Sequence, residues 1–408
     1  VTADSATEDG GITLIEVTRS NMPQKGIIRI TKTGEVFWTV TEADGIYKPV
    51  YAVKSLPGAV FEIRAAEDIY TLDGVMHYAK GEIVDTITTG SDGVASSKEL
   101  YLGKYEVQEI TAPYGMVLND EIHSVELVYA GQNVAVTETA TSFYNERQKV
   151  EISLEKTLET SELFGIGNNG EIQNVSFGLF AAEELVSTSG TAIPADGLIE
   201  IITLDENGKA TVKTDLPIGN YYVQELATDK AYILNDTKYP VVFEYAGQDK
   251  ATVVIVANNG KAIENELLYG SVSGKKVDEN GEALGGALIG LFKTDNDEFT
   301  KENALMTTVS EKDGSFSFAD IPYGTWYVRE IEQPTGFVLD ETVYPVVISE
   351  DKQVIEIEIV NEFIRGNIAL TKVDADYPDN KLTGASFEVY KDSNDNGKLD
   401  EDDELLGT

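Results

Sequence analysis

The sequence contains no cysteine, which excludes disulfides, thiolate metal ligands and thiol nucleophiles together. It has only two histidines, His77 and His123, both in the first third of its 408 residues. A His-rich metal site and a Ser–His–Asp constellation are therefore not legible, and both histidines read as residues of surface strands. No run approaches the ~18 apolar residues of a membrane-spanning helix, so direct membrane insertion is not expected. No basic-then-apolar leader opens the chain, and any export signal is expected outside these residues. Basic residues are scarce, with 31 Lys+Arg against 71 Asp+Glu and a formal net charge of −40. Phosphate backbones are gripped by clustered Lys and Arg, so nucleic acid is excluded as a partner. The carboxylate surplus fits a strongly solvated surface, with cation binding or a basic partner as alternatives. Turnover catalysis is not expected.

What the chain does contain is a repeat. Gly103-Lys-Tyr-Glu-Val-Gln-Glu109, Gly219-Asn-Tyr-Tyr-Val-Gln-Glu225 and Gly324-Thr-Trp-Tyr-Val-Arg-Glu330 align without gaps. Nine residues after each Glu stands a Leu, in Leu118-Asn119, Leu234-Asn235 and Leu339-Asp340. Four Asn–Lys pairs share a spacing of 11 residues: Asn21–Lys32, Asn145–Lys156, Asn265–Lys276 and Asn361–Lys372. These mark equivalent boundaries. They define a remnant at 1–21, complete units at 22–148, 149–268 and 269–364, and an interrupted unit at 365–408. The segment 11–21 reads as the last strand of a preceding repeat, and the chain as a piece of a longer array.

Within each unit the hydrophobic period is two, which predicts strands. Ile28, Ile30 and Lys32 share one face, as do Tyr105, Val107 and Glu109, and Phe143 and Asn145. Asp92-Gly93, Asn207-Gly208, Asn280-Gly281 and Asp313-Gly314 supply turns at hairpin-like spacing. The only helical candidate is a short turn at Ala65–Ile69. The expected fold is all-β, a series of Ig-like sandwiches of about seven strands arranged as an elongated array.

The same alternation puts a Lys, a Glu and an Asn on otherwise apolar faces of every complete unit. Lys and Glu are almost never fully buried unless paired. Burial lowers a Lys pKa and raises a Glu pKa, so a neutral amine can lie beside a protonated carboxylic acid. Such an amine, held against an Asn side chain, can attack the amide carbon while the Glu moves the proton and ammonia leaves. The alternative is an ordinary buried ion pair with an Asn nearby; recurrence in register in three units argues for the chemistry.

Tyr105-Glu-Val-Gln-Glu-Ile-Thr-Ala-Pro-Tyr-Gly115 and Tyr327-Val-Arg-Glu-Ile-Glu-Gln-Pro-Thr-Gly-Phe337 resemble the E-box of Cna-B-type and SpaA-type prealbumin-like domains. The Gly-Ala-x-Phe signature of that family is similar to Leu56-Pro-Gly-Ala-Val-Phe61 and Leu382-Thr-Gly-Ala-Ser-Phe387, and more loosely to Leu284-Gly-Gly-Ala-Leu-Ile289. The resemblance implies Gram-positive surface adhesins and sortase-assembled pilins, extracellular and anchored to the cell wall through regions outside these residues. It implies Lys–Asn isopeptide bonds with Glu as proton shuttle: Lys32–Asn145 with Glu109, Lys156–Asn265 with Glu225, and Lys276–Asn361 with Glu330. Strand parity turns the neighbouring Lys275 outward. The second unit departs after its Glu, with Ala227-Thr-Asp-Lys-Ala231 in place of the Pro-containing turn. Lys372 of the fourth unit has neither partner within the chain.

No cofactor is required by this reading. One further motif suggests calcium: Asp392, Asn394, Asn396, Lys398, Asp400 and Asp403 occupy ligand positions of an EF-hand-type loop, with Gly397 at the sixth position and Asp where Glu is usual. A plain acidic turn is the competing expectation. Tyr70 and Tyr78 lie in a long insertion at 64–90, where packing within the domain is the expectation and a ligand surface the alternative. A host matrix protein or a glycan is the alternative partner, with a ligand-binding module or an accessory region of a larger secreted enzyme as alternative roles.

Overall fold

A computed structural model describes residues 6–9, 12–15, 20–295 and 298–408, and these are almost entirely strand and turn. Their internal contacts divide the chain into two compact units: Val1–Ser271 with Ala319–Thr325 and Val347–Ile355, and Val272–Phe318 with Trp326–Val346 and Glu356–Thr408.

In the first domain the strand Lys25–Ala43 alternates buried and partly exposed residues through Gly34, as a two-residue period requires. It pairs in parallel with the last strand, Val136–Asn145, and antiparallel with Val94–Ser96, Leu100–Tyr101 and Ile46–Ser55. The facing sheet runs Ile122–Leu127, Gly103–Thr111, Val60–Ala65, Ile83–Thr88. Ile28, Ile30, Phe61, Ile63, Tyr105, Val107 and Phe143 fill the space between the sheets.

The second domain repeats this plan. Lys149–Leu158 pairs in parallel with Thr252–Val256 and Ile263–Asn265, two pieces of one last strand parted by a turn at Ala257–Gly260. Asn258 and Asn259 in that turn are left-handed, a conformation that Asn tolerates better than most residues. The opposite sheet runs Leu198–Thr203, Ser176–Ala181, Gly219–Ala227, Tyr239–Phe243. In the third domain, sheets of three and four strands hold Tyr269–Asp278 between Ser315–Pro322 and Val354–Asn361, and Leu288–Phe292 beside Gly324–Glu332.

The third domain has the expected seven strands among the described residues. The first has more, because its chain makes a long hairpin at Lys25–Ser55 and a small one at Ile69–Tyr70 with Met76–Tyr78. No helical turn forms at 65–69. The expected remnant strand at 11–21 lies partly outside the described residues. What is described there is a hairpin of Ala6–Asp9 with Ile12–Ile15, and Asn21 is exposed and off any strand.

Candidate cross-linking sites

All nine side chains of the three triads are buried, none more than 3% exposed. Their convergence follows from strand register. In the parallel pairing of first and last strands, Lys32 faces Phe143 and Lys156 faces Ile263, each two residues before the Asn. Asn145 and Asn265 thus sit one side-chain repeat further along the same inward face. The Glu comes from the other sheet, where Glu109, Glu225 and Glu330 face Phe61, Phe177 and Ile289.

The three sites differ in detail. In the first domain, Lys32 Nζ contacts Asn145 Oδ1 and lies 3.0 Å from Glu109 Oε1. Asn145 Nδ2 donates to the same carboxylate oxygen at 3.2 Å. The Phe61 and Phe143 rings flank the amine at 5.6 and 5.7 Å, shutting water out. In the third domain, Lys276 Nζ is 3.7 Å from Glu330 Oε1, while Asn361 Nδ2 donates to Oε2 at 2.7 Å. In the second, Asn265 Nδ2 donates to both Glu225 oxygens at 2.9 Å and to Thr228 Oγ1. Lys156 there points elsewhere, donating to the carbonyls of Thr157 at 2.6 Å and Ile263 at 3.1 Å. The altered segment after Glu225 thus supplies Thr228, which holds the Asn amide.

Burial lowers the pKa of all three lysines against the opposing pull of their carboxylates, and brings Lys156 to about 8. Burial also raises that of Glu225. A depressed amine and an elevated carboxylic acid are the protonation states that amide attack requires. Four buried side-chain atoms among the described residues have no hydrogen-bond partner, and three belong to these sites: Asn265 Oδ1, Glu330 Oε1 and Asn361 Oδ1. Orphaned buried oxygens are costly, and a proton on the carboxyl group would give one of them a donor.

Three supporting features were not anticipated. A β-bulge follows the Glu of each triad, where the pairing shifts after Glu109, Glu225 and Glu330; such bulges re-aim side chains. The residue after each repeated Leu then donates its backbone N–H to the Glu: Asn119 at 3.0 Å, Asn235 at 2.7 Å and Asp340 at 2.9 Å. Leu-Asn and Leu-Asp were visible as a repeat, but their task was not. Thirdly, the turn glycines Gly93, Gly208 and Gly314 accept the backbone N–H of Lys32, Lys156 and Lys276 at 2.7–2.8 Å. Their φ values are 71°, 74° and 80°, and an added Cβ would come within 2.7 Å of the lysine carbonyl in each case.

Other expected residues lie apart from these sites. Lys275 and Lys372 are exposed. His77 and His123 are half-buried rather than superficial, stacked on Tyr101 and Phe143 because an imidazole face covers apolar surface there. Tyr78 packs edge-on against Tyr101 and Tyr105, whereas Tyr70 is 55% exposed on its hairpin, contrary to the packing expected of it. In the 392–403 loop, Asp392 accepts the N–H groups of Asn396 and Gly397. Asp400 accepts the amides of Asn394 and Asn396, and Asp403 the N–H groups of Ser393 and Asp400. Asn394 and Asn396 therefore turn N–H, not oxygen, toward the carboxylate. No group of three or more His, Asp or Glu is gathered to hold a metal among the described residues.

A family model described as the SpaA prealbumin-like fold domain matches residues 50–141, 165–261 and 270–363. No curated protein matches the chain. Among solved structures, the Bacillus anthracis TIE protein aligns at TM-score 0.56 and 20% identity over 83% of this chain and 51% of that one. The chain therefore spans about half the length of that structure. BcpA, the major pilin subunit of Bacillus cereus, aligns at TM-score 0.36 and 16% identity, covering 84% of this chain and 100% of that one. With three matched segments that together exceed half of its length, the chain belongs to the SpaA prealbumin-like domain family, as three tandem copies of that all-β fold.

Proposed function

We propose that this chain is a structural stalk segment of a bacterial cell-surface adhesin or pilin, each complete domain locked by a self-formed Lys–Asn isopeptide bond. The observation that supports it most is the burial, in register and in three domains, of a Lys, a Glu and an Asn from three strands, with Lys and Glu paired in the first and third. In each domain the neutral lysine amine attacks the Asn side-chain carbonyl carbon. A new C–N bond forms, the old one breaks, and the Asn nitrogen leaves as ammonia. Glu109, Glu225 or Glu330 takes the proton from the attacking amine and delivers it to the departing nitrogen, ending as it began. Each bond forms once, so the protein is not a turnover enzyme.

Position supplies the rate, since three groups fixed in one water-free pocket react as an intramolecular system. The bond joins the first strand to the last, so tension entering at one Asn crosses to the next Lys through the 11-residue junction and bypasses the core. A cross-link that cannot be reduced suits a cysteine-free protein outside the cell, with sortase and cell wall engaged through regions beyond these residues. Intact mass tests the proposal. The wild type is expected to be three ammonia masses light, and a variant with Glu109, Glu225 and Glu330 all changed to Ala to match the plain sequence. A wild type of plain mass would return the triads to buried ion pairs.

The tip of the small hairpin favours a second reading. Tyr70, Leu72, Val75 and Met76 are all exposed there, Leu72 fully. Such a tip on the first domain suits a ligand-binding role toward a host matrix protein or glycan, and loss of binding on Leu72→Asp would mark it.

A further inference from the structure

The first and second domains meet through more than their linker. In the first domain 26 residues separate Lys32 from Ala59, whereas in the third only 10 separate Lys276 from Ala287. The extra length forms the far end of the hairpin Lys25–Ala43 with Ile46–Ser55, closed by Asp44-Gly45 with φ of 53° and 77°. Two positive φ values in a two-residue loop match the twist of the flanking strands, and the pairing shifts by one residue between Phe37 and Thr39. The hairpin extends past its own sandwich and lies on the second domain.

There Phe37, Val40 and Tyr47 pack against the second domain's core, and Ile46 bridges Leu198 at the sheet edge. The backbone joins in: Thr188 and Ser189 donate N–H to the carbonyls of Phe37 and Trp38 at 3.0 and 2.9 Å. Between hairpin and linker lies Arg147, 6% exposed. It bonds Glu35 at 2.9 Å, pairs with Asp215 and stacks on Tyr51 at 3.7 Å. On the linker's other side, Gln148 donates to the carbonyls of Gly247 and Lys250, and Tyr245 to that of Met116.

We propose that the 33–55 hairpin is an intramolecular docking arm whose partner is the second domain's edge around 188–198 and 215. It completes that domain's core and makes the two domains one rigid, co-folding body. A three-residue linker held from one side would hinge; held from both sides, with a buried guanidinium between, it has no free axis. The arm uses none of the nine triad residues, so the inference stands apart from the cross-linking proposal.

The test uses the full chain. Because the sequence lacks cysteine, spin labels at Glu99→Cys and Glu206→Cys, exposed positions of the two domains, report one distance without background. Val36 and Ala52 are paired in register, so replacing 37–51 with Asn-Gly leaves a two-residue turn on an intact stem. The parent should give a single narrow distance distribution. The shortened chain should give one at least twice as wide, with exchange at the Thr188 and Ser189 amides at least tenfold faster. The double variant Phe37→Ser, Tyr47→Ser keeps the strand pairing and serves as the same test should the shortened chain not fold. Unchanged width and unchanged exchange in either folded variant would overturn the proposal.

Discussion

Glu330→Gln is the sharpest perturbation of the proposed chemistry, because it keeps the shape of the side chain while removing its acid–base function and its charge beside Lys276, whose amine burial already pushes toward neutral. Gln can still accept the Asp340 N–H that reaches Glu330 at 2.9 Å and still face Asn361. Local hydrogen-bond changes should therefore cost only ~1 kcal/mol. The large term is the lost cross-link. Lys276 and Asn361 are 85 residues apart, and releasing a closed loop of that size costs about 4.5 kcal/mol in the chain-entropy treatment. With a urea m-value near 2 kcal/mol/M for a domain of this size, the unfolding midpoint should fall by about 2 M. The chain's two tryptophans make the assay selective: Trp326 is buried in the third domain, and Trp38→Phe silences the other. Intact mass on the same sample should show one ammonia regained. If the variant keeps the full deficit, Glu330 is not the shuttle. If the bond is lost but the midpoint moves by less than ~0.5 M, the loop-closure reasoning fails.

Four further outcomes are expected. Bond formation in the second domain should speed up about tenfold per pH unit below 8 and level off above it, since the neutral Lys156 amine attacks and its pKa is about 8; equal rates at pH 6 and pH 9 after refolding would contradict this. In Asn265→Ala, which cannot cross-link, Lys156 titrates at about 8 when folded and near its ordinary 10.5 when unfolded, so the folded state binds fewer protons across that window and stability should rise with pH through it. Gly208→Ala should destabilise the second domain by roughly 2 kcal/mol or more, because it combines a φ of 74° with a Cβ placed 2.2 Å from the Lys156 carbonyl oxygen; calorimetry showing no change would refute that account. Calcium at the 392–403 loop, proposed from ligand spacing, requires Asn394 and Asn396 to turn their Oδ1 atoms inward, and titration calorimetry without heat at millimolar calcium would dispose of it.

Stretching single molecules addresses the mechanical reading directly. Single molecules should extend without domain-sized steps, and a step near a full domain contour length would show that force reaches the cores.

How far the sequence could be read depended on how local each signal was. The all-β class and the faces of the nine residues follow from a two-residue period and gapless recurrence, both carried by neighbours along one strand. Even the outward turn of Lys275 beside the buried Lys276 is a matter of parity. The repeat at Leu118, Leu234 and Leu339 was visible, yet the backbone N–H that follows each one meets its Glu only once a bulge has shifted the strand. A one-residue bulge interrupts the alternation, leaving Ile110 and Thr111 both exposed after Glu109, but at the end of a strand such a break reads like the start of a loop.

Composition alone removed thiol chemistry and a His-rich metal site, and the periodic pattern determined strands and which Lys, Glu and Asn point inward. Those conclusions need only covalent order and the alternation of a pleated chain. Tertiary structure decided how closely each triad meets, placing Lys32 beside Glu109 while turning Lys156 toward carbonyls. It also decided that residues 33–55 leave their own domain to cover the next. The landing site of that hairpin lies about 150 residues along the chain, at Thr188 and Thr191. Contacts over such separations are selected by shape and burial in the folded state, and no pattern within either segment encodes them.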